Sequence, residues 1–294
     1  GILVVIQGGI NARLGLMIEE ISQIIRNCAA EIILPRFRNL KDDDVTTKTG
    51  PRDLVTIADT EAEYYLQKHI KQYLESALIV GEESISRGEY DLSDIHAHGD
   101  QPIFVVDPID GTNNFVKGSD VFGVMVAMLI NGVCHKAWIY DVVNDKMTTA
   151  AKGEGAHTNG KPIKVSTTDE TQALTGYTSL RYMNKVDKAH FLAYGQGVNM
   201  VDSTGCAAHM YLDVAHGRKD FTMFTRLKPW DHLPGVLICQ EAGAYAANWD
   251  GSPYDINSRH IKPSVSGVRA GILSANSEKT WRILHDMLIS SLHR

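Results

Sequence analysis

Two aspartates stand three residues apart in Asp107-Pro108-Ile109-Asp110-Gly111-Thr112, at the end of the apolar stretch Ile103-Phe104-Val105-Val106. Pro108 fixes its own φ, so the chain leaves that stretch along a restricted path on which both carboxylates can converge. Crowded carboxylates repel and their pKa values rise. A divalent cation relieves the repulsion, and an all-oxygen donor set suits Mg²⁺. Gly111 and Thr112 add backbone N–H groups able to hold a phosphate oxygen, and Thr112 adds a hydroxyl. More acids occupy similar places: Glu82 and Glu83 after Leu78-Ile79-Val80-Gly81, Asp59 after the strand-like Asp53–Ile57, and Asp231 after Trp230 where a helical pattern begins. Singly, each reads equally well as a turn residue, a solvated strand end or a helix cap. Their co-occurrence carries the argument. Cations gathered there would spread the charge of a transferring phosphoryl group and make hydroxide available at neutral pH, which leaves positioning and electrostatics to the protein.

The elements that must position these acids can be read around them. Ile21, Ile24, Ile25, Cys28 and Ile32 recur from Met17 at helical spacing and stop at Pro35. Residues 38–52 read as a loop or hairpin. A second helix is expected from Thr60, with Thr60-Glu61-Ala62-Glu63 as its capping box. Phe122–Leu129 and Val133–Val143 flank Asn131-Gly132, a hairpin signal, and Lys146–Ala151 follows, so an antiparallel sheet is expected in this first part. Beyond about residue 165 strands and helices alternate: strands near 199–203, 221–224, 245–249 and 272–274, and helices over 205–215, over 231–242 (with Pro234 in its first turn) and from Glu278. The alternation predicts an α/β lobe. The expected division is 17–165, carrying most of the metal ligands, and 166–294, carrying Asp231 and the substrate pocket. Residues 1–16 form an extension of unassigned role, and 252–269 the longest loop of the second lobe.

The bulk properties narrow the function. The chain has 294 residues, 44% apolar and 22% charged, with a net charge of −6. That balance suits a soluble globular protein and disfavours nucleic-acid or anionic-membrane partners, which need basic patches. No run reaches the roughly 18 apolar residues of a membrane span. Cys28, Cys134, Cys206 and Cys239 are scattered, without zinc spacing, and read as reduced thiols of a cytoplasmic protein. His96-Ala97-His98 lacks a third metal ligand, and Gly153-Glu154-Gly155 lacks the rest of a dinucleotide fingerprint.

Asp53-Leu54-Val55-Thr56-Ile57-Ala58-Asp59, Gly81-Glu82-Glu83-Ser84, Asp107 to Phe115, and Trp230-Asp231 leading to Glu241-Ala242-Gly243-Ala244 together resemble the inositol monophosphatase family, within the lithium-sensitive, magnesium-dependent phosphatases. The resemblance runs from about Met17 onward. It implies an α/β (α+β sandwich) class with a layered αβαβα fold, commonly dimeric, and magnesium-dependent hydrolysis of a small phosphate monoester by metal-activated water. It also implies a first Mg²⁺ on Glu82, Asp107 and the Ile109 carbonyl, a second on Asp107, Asp110 and Asp231, and a third, weaker ion near Glu82. Asp59 and Thr112 would position and deprotonate the attacking water, with Glu82 counted among the catalytic residues. The N–H groups of Gly111 and Thr112 would bind phosphate, and Gly205, Cys206 and Ala207 would line the substrate pocket.

Two positions depart from the family pattern. Phe224 stands seven residues before Asp231, where inositol-specific members carry an acid that contacts sugar hydroxyls. Cys206 stands where threonine is usual. Arg226 and Lys228, close by, either meet a second anionic group on the substrate or are solvated loop charges. Histidinol phosphate, 3′-phosphoadenosine 5′-phosphate and sugar phosphates are alternative substrates. A regulatory binding protein with a secondary phosphatase site is the alternative of a different class.

Overall fold

The protein is described here as a computed structural model covering residues 16–51, 53–96, 99–256 and 270–293. Ala97 and His98, the extension before residue 16, and residues 257–269 of the expected long loop lie outside the described residues.

Helix α1 occupies residues 16–28 and continues through a π turn (Ala29–Ile33) and a 3₁₀ turn (Leu34–Arg36). Strands β1 (Val45–Thr47) and β2 (Leu54–Thr56) form the hairpin, pairing antiparallel with Val45 opposite Thr56. Helix α2 runs Ile57–Tyr73 and so begins three residues earlier than the sequence reading placed it. The cap is Thr56, not Thr60. The Thr56 hydroxyl accepts from Asp59 N–H at 3.3 Å, and Asp59 Oδ2 accepts back from Thr56 N–H at 2.8 Å. A threonine with an acid three residues on satisfies two orphan donors at once, and it draws Asp59 into the first turn.

Next come β3 (Leu78–Gly81), α3 (Glu82–Ser86), β4 (Ile103–Asp110), α4 (Thr112–Val116), β5 (Gly123–Ile130), β6 (Val133–Asp141), β7 (Lys146–Ala151), β8 (Ala156–Thr158) and β9 (Lys161–Pro162). β3 to β9 form one seven-stranded sheet in sequence order. It is antiparallel except at β3–β4, which pair in parallel. Asn131 and Gly132 both adopt positive φ, 49° and 76°, as a tight hairpin turn requires.

The second part holds β10 (Thr175–Tyr177), α5 (Lys185–Tyr194), β11 (Asn199–Val201), α6 (Ala207–Ala215), β12 (Phe221–Phe224), α7 (Pro229–Glu241), β13 (Tyr245–Asn248), β14 (Ile272–Ala275) and α8 (Glu278–Leu284). Its sheet has the order β11-β10-β12-β14-β13. β10 is parallel to both of its neighbours, and the other pairings are antiparallel. Pro234 lies inside α7, past its first turn, because the helix starts at Pro229.

Strand periodicity generates the layers. From β4, Phe104 and Val106 face a core shared with Ile21, Ile25, Leu66 and Ile70 of α1 and α2, while Ile103 and Val105 face the opposite way. That second core also receives Met210 and Val214 of α6, Val236 and Ile238 of α7, and Phe224 and Ile272 of the second sheet. On the far side, Phe221, Met223 and Leu273 pack with Phe191 of α5 and Trp281 and Leu284 of α8. Helices, sheet, helices, sheet, helices: the five-layered αβαβα architecture follows. Among the described residues no helix is long and apolar enough to cross a membrane.

Candidate metal centre

β4 is buried along its whole length, and its register against β5 shifts between Asp107 and Asp110. The bulge turns both side chains toward the second helix layer, where Asp231 enters from the first turn of α7. One carboxylate oxygen from each of Asp107, Asp110 and Asp231 lies within 4.8 Å of the others. Asp107 and Asp110 are buried and Asp231 is partly exposed. Burial raises all three carboxyls, and neighbouring charge raises them further. The added charge comes from Glu82, Asp231 and Asp110 for Asp107, and from Asp110 and Glu82 for Asp231. Asp110 reaches about 6, held down by the Ala208 N–H that its Oδ2 accepts at 2.6 Å. Three desolvated acids at this separation fit a hard divalent cation, which removes the repulsion that burial creates.

Glu82 stands at the start of α3, 20% exposed and outside that 4.8 Å group. Its Oε1 receives Lys48 Nζ at 3.2 Å, and Glu83 receives the same ammonium at 2.8 Å. The β1–β2 hairpin therefore lays a cation over this edge of the acidic cluster. Burial alone would lower the Lys48 pKa, but the two glutamates outweigh it and the net shift is upward. Burial, then the Glu82 charge, lifts Glu83 to about 8.

Asp59 is fully buried, and burial raises it to about 6 against the hydrogen bonds that hold it down. Its Oδ1 lies 2.9 Å from Thr112 Oγ1, which is also 3.0 Å from the Ile109 carbonyl. A hydroxyl has one proton, so it donates to one of the two at a time. The structure thus brings Asp59, Thr112 and Ile109 together. Gly111 joins β4 to α4 at φ +87°. Gly205 adopts φ +77°, and Cys206 is the N-cap residue of α6, buried with Sγ 3.2 Å from Asp110 Oδ2. Ala207 follows, partly buried. Asn114 donates to both the Val121 and Thr204 carbonyls at 2.9 Å, which ties this segment to α4.

Sequence reasoning missed two supporting residues. Glu63 is wholly buried on α2, one turn beyond Asp59, and accepts the N–H groups of Glu83 at 2.7 Å and Ser84 at 2.8 Å. It caps α3 and so fixes the backbone that presents Glu82. Gly81 makes room for it, since a Cβ there would come within 2.3 Å of Glu63 Cδ. The i, i+4 spacing from Asp59 was the available signal. His232 is buried behind Asp231, held by Tyr211 Oη at 2.8 Å and by the Arg226 carbonyl. Burial lowers it to about 4, so it is neutral at pH 7. Glu63→Gln keeps the shape but sets an NH₂ against one of the two backbone donors. An unpaired buried donor costs about 1–3 kcal/mol. The variant is expected to melt lower and to bind metal more weakly, read by thermal denaturation and by calorimetric titration with Mg²⁺.

Five alternating layers thus bring three carboxylates together where they could hold a metal ion. The chain belongs to the inositol monophosphatase family, whose sequence profile matches residues 17–293. It is 31% identical over 256 residues to inositol monophosphatase 1 of Solanum lycopersicum, covering 84% of this chain and 90% of that one. It is 30% identical over 277 residues to inositol monophosphatase 1 of Rattus norvegicus, covering 92% and 94%. The solved IMPase of Thermotoga maritima shares the fold with a TM-score of 0.75 at 23% identity, covering 96% of this chain and 98% of that one. The chain is accordingly a phosphoric monoester hydrolase.

Proposed function

We propose that the chain hydrolyses a small, soluble phosphate monoester with Mg²⁺ held by Glu82, Asp107, Asp110, Asp231 and the Ile109 carbonyl. The observation that carries this reading is the approach of three desolvated carboxylates to within 4.8 Å of one another. Bound there, the cation supplies positive charge to the phosphoryl oxygens and lowers the pKa of water. The protein's own groups do the rest. The N–H groups of Gly111 and Thr112 hold the phosphate. Thr112 orients the attacking water, and Asp59, 2.9 Å from the Thr112 hydroxyl, takes up the proton that leaves it. The segment Gly205-Cys206-Ala207 forms the substrate wall.

The same reading assigns most of the metal ligands to residues 17–165, and Asp231 with the substrate wall to 166–294. Four unpaired thiols support a cytoplasmic location, and the family likeness supports a homodimer. Phosphate release from a panel of small monoesters, with and without Mg²⁺ and beside an Asp231→Asn control, tests the proposal. Release that requires Mg²⁺ and disappears in the control is expected. Release that survives Mg²⁺ removal or the substitution contradicts it.

A further inference from the structure

Phe224, in the place of the family's sugar-binding acid, does not face a polyol. Its ring stacks 4.9 Å from Tyr211 and lies 4.8 Å from His232, buried between the sheet and the helix layer. This wall therefore offers a substrate no carboxylate from β12. The chain that leaves β12 carries Arg226 and Lys228, and the structure separates their roles. The Lys228 ammonium sits 5.5 Å over the Trp230 ring, and its charge acts on Asp231. The Arg226 guanidinium instead lies 4.6 Å over the ring of Tyr182, on the neighbouring 3₁₀ turn Leu180–Tyr182. Both side chains are exposed, and Arg226 forms no ion pair with any described residue.

The turn carrying Tyr182 is firmly seated. Ser179, at φ +52°, donates its hydroxyl to the Met223 carbonyl at 2.8 Å inside the core. Its Arg181 reaches back to the substrate wall, where the guanidinium lies 3.9 Å from the position a Cβ on Gly205 would take. Among the described residues Arg181 makes one ion pair, a long one of 3.6 Å with Asp202, and both side chains are about half exposed. One anchored turn thus holds Arg181 beside Gly205 and, through the Tyr182 ring, seats Arg226, and the N–H that follows the Gly205–Ala207 segment is bonded to Asp110. A guanidinium stacked on an aromatic face keeps its N–H groups free around its edge, where they match an oxyanion in bidentate fashion.

We infer that Arg226, stacked on Tyr182, and Arg181 beside Gly205 select phosphate monoesters bearing a second oxyanion, a carboxylate or another phosphate. The inference rests on the phosphatase reading and names the substrate class of that site. The cluster of acids holds the reacting phosphate only through its cations, so the two arginines are what distinguishes a doubly anionic substrate from a neutral polyol phosphate.

The test compares kcat/KM within matched pairs, in the full chain with Mg²⁺: glycerol 3-phosphate against 3-phosphoglycerate, and fructose 1-phosphate against fructose 1,6-bisphosphate. The first pair adds a carboxylate and the second a phosphate, so the two arms separate the sources of the second anion. A charge-assisted pair corresponds to a preference of about 10–100-fold for the doubly anionic member in at least one pair. Arg226→Ala is expected to collapse that ratio through KM, Arg181→Ala to reduce it, and Arg226→Lys to restore part of it. Added salt is expected to weaken the preference, because the arginines are exposed. A ratio near one in the wild type, or one unchanged by Arg226→Ala, overturns the inference alone. No release from any of the four compounds overturns the phosphatase reading and this inference with it.

Discussion

Asp107→Asn lowers phosphate release by on the order of 10³-fold or more and raises the melting temperature of the metal-free protein. The first effect follows from the cation's share of the barrier. Charge stabilisation by a bound metal contributes several kcal/mol, and each 1.36 kcal/mol is tenfold in rate. The second follows from electrostatics inside the fold. Burial and the charges of Glu82, Asp231 and Asp110 hold the Asp107 carboxyl well above its ordinary range. Asparagine removes that charge and can still accept the Ile109 N–H, which lies 3.2 Å from Asp107 Oδ1. Relief of each 1 kcal/mol raises the melting temperature of a chain this large by about 2–4 °C. The pH dependence follows with a definite sign. An acid whose pKa is higher folded than unfolded binds its proton more tightly in the fold, so its contribution favours the fold at low pH. That contribution is lost as pH rises from the unfolded value toward the folded one, 3.8 to about 6 for Asp110. Calorimetry in EDTA from pH 4 to 8 should show the wild type losing more stability than Asp107→Asn. Equal losses, or a variant that retains activity, would refute the account of the site.

The approach of Asp107 to Asp110 was legible because the two stand close together in sequence. Asp107, Ile109, Asp110, Gly111 and Thr112 fall in one six-residue run, and the proline and glycine within it constrain the path of the chain. Strands with clear punctuation were legible too. Asn131-Gly132 marked the β5–β6 hairpin, and Lys146–Ala151 and Phe221–Phe224 coincide with β7 and β12. Other features depend on contacts that periodicity cannot show. The parallel pairing of β3 with β4 joins two continuous apolar runs whose pattern does not specify strand direction. β10 is only Thr175-Gly176-Tyr177, too short and too glycine-interrupted to stand out, and it is a strand because β11 and β12 flank it. The start of α2 was misplaced because Thr56-x-x-Asp59 and Thr60-x-x-Glu63 are both plausible boxes. The second acid was already committed to the backbone of α3, twenty residues on. Glu63 therefore looked like part of the α2 cap when it caps α3, and Asp59 looked like a residue before a helix when it is inside one.

Gly111→Ala is expected to lower kcat/KM by about 10²-fold and to destabilise the fold. Gly111 holds φ +87°, and an alanine Cβ would meet the Val121 carbonyl oxygen at 2.9 Å and Cys206 Cβ at 3.2 Å. The left-handed conformation costs a side-chain-bearing residue about 1–2 kcal/mol. The contact with a backbone oxygen adds crowding worth about 1–3 kcal/mol that no flexible side chain can relieve. The chain escapes by moving the turn, and the turn has Asp110 on one side and Thr112 on the other. Displacing them changes the triad and the Thr112–Asp59 contact together, and a shift of about 1 Å in reacting groups is enough for a loss of about 10²-fold. Gly118→Ala is the matched control. It has φ +75°, but the atoms nearest its added Cβ belong to the flexible Arg38 side chain, the closest at 3.3 Å. Strain without displacement of the turn should lower the melting temperature and leave kcat/KM near wild type. Equal losses of activity in the two variants would mean that general destabilisation, and not the geometry of the Asp110–Thr112 turn, limits catalysis.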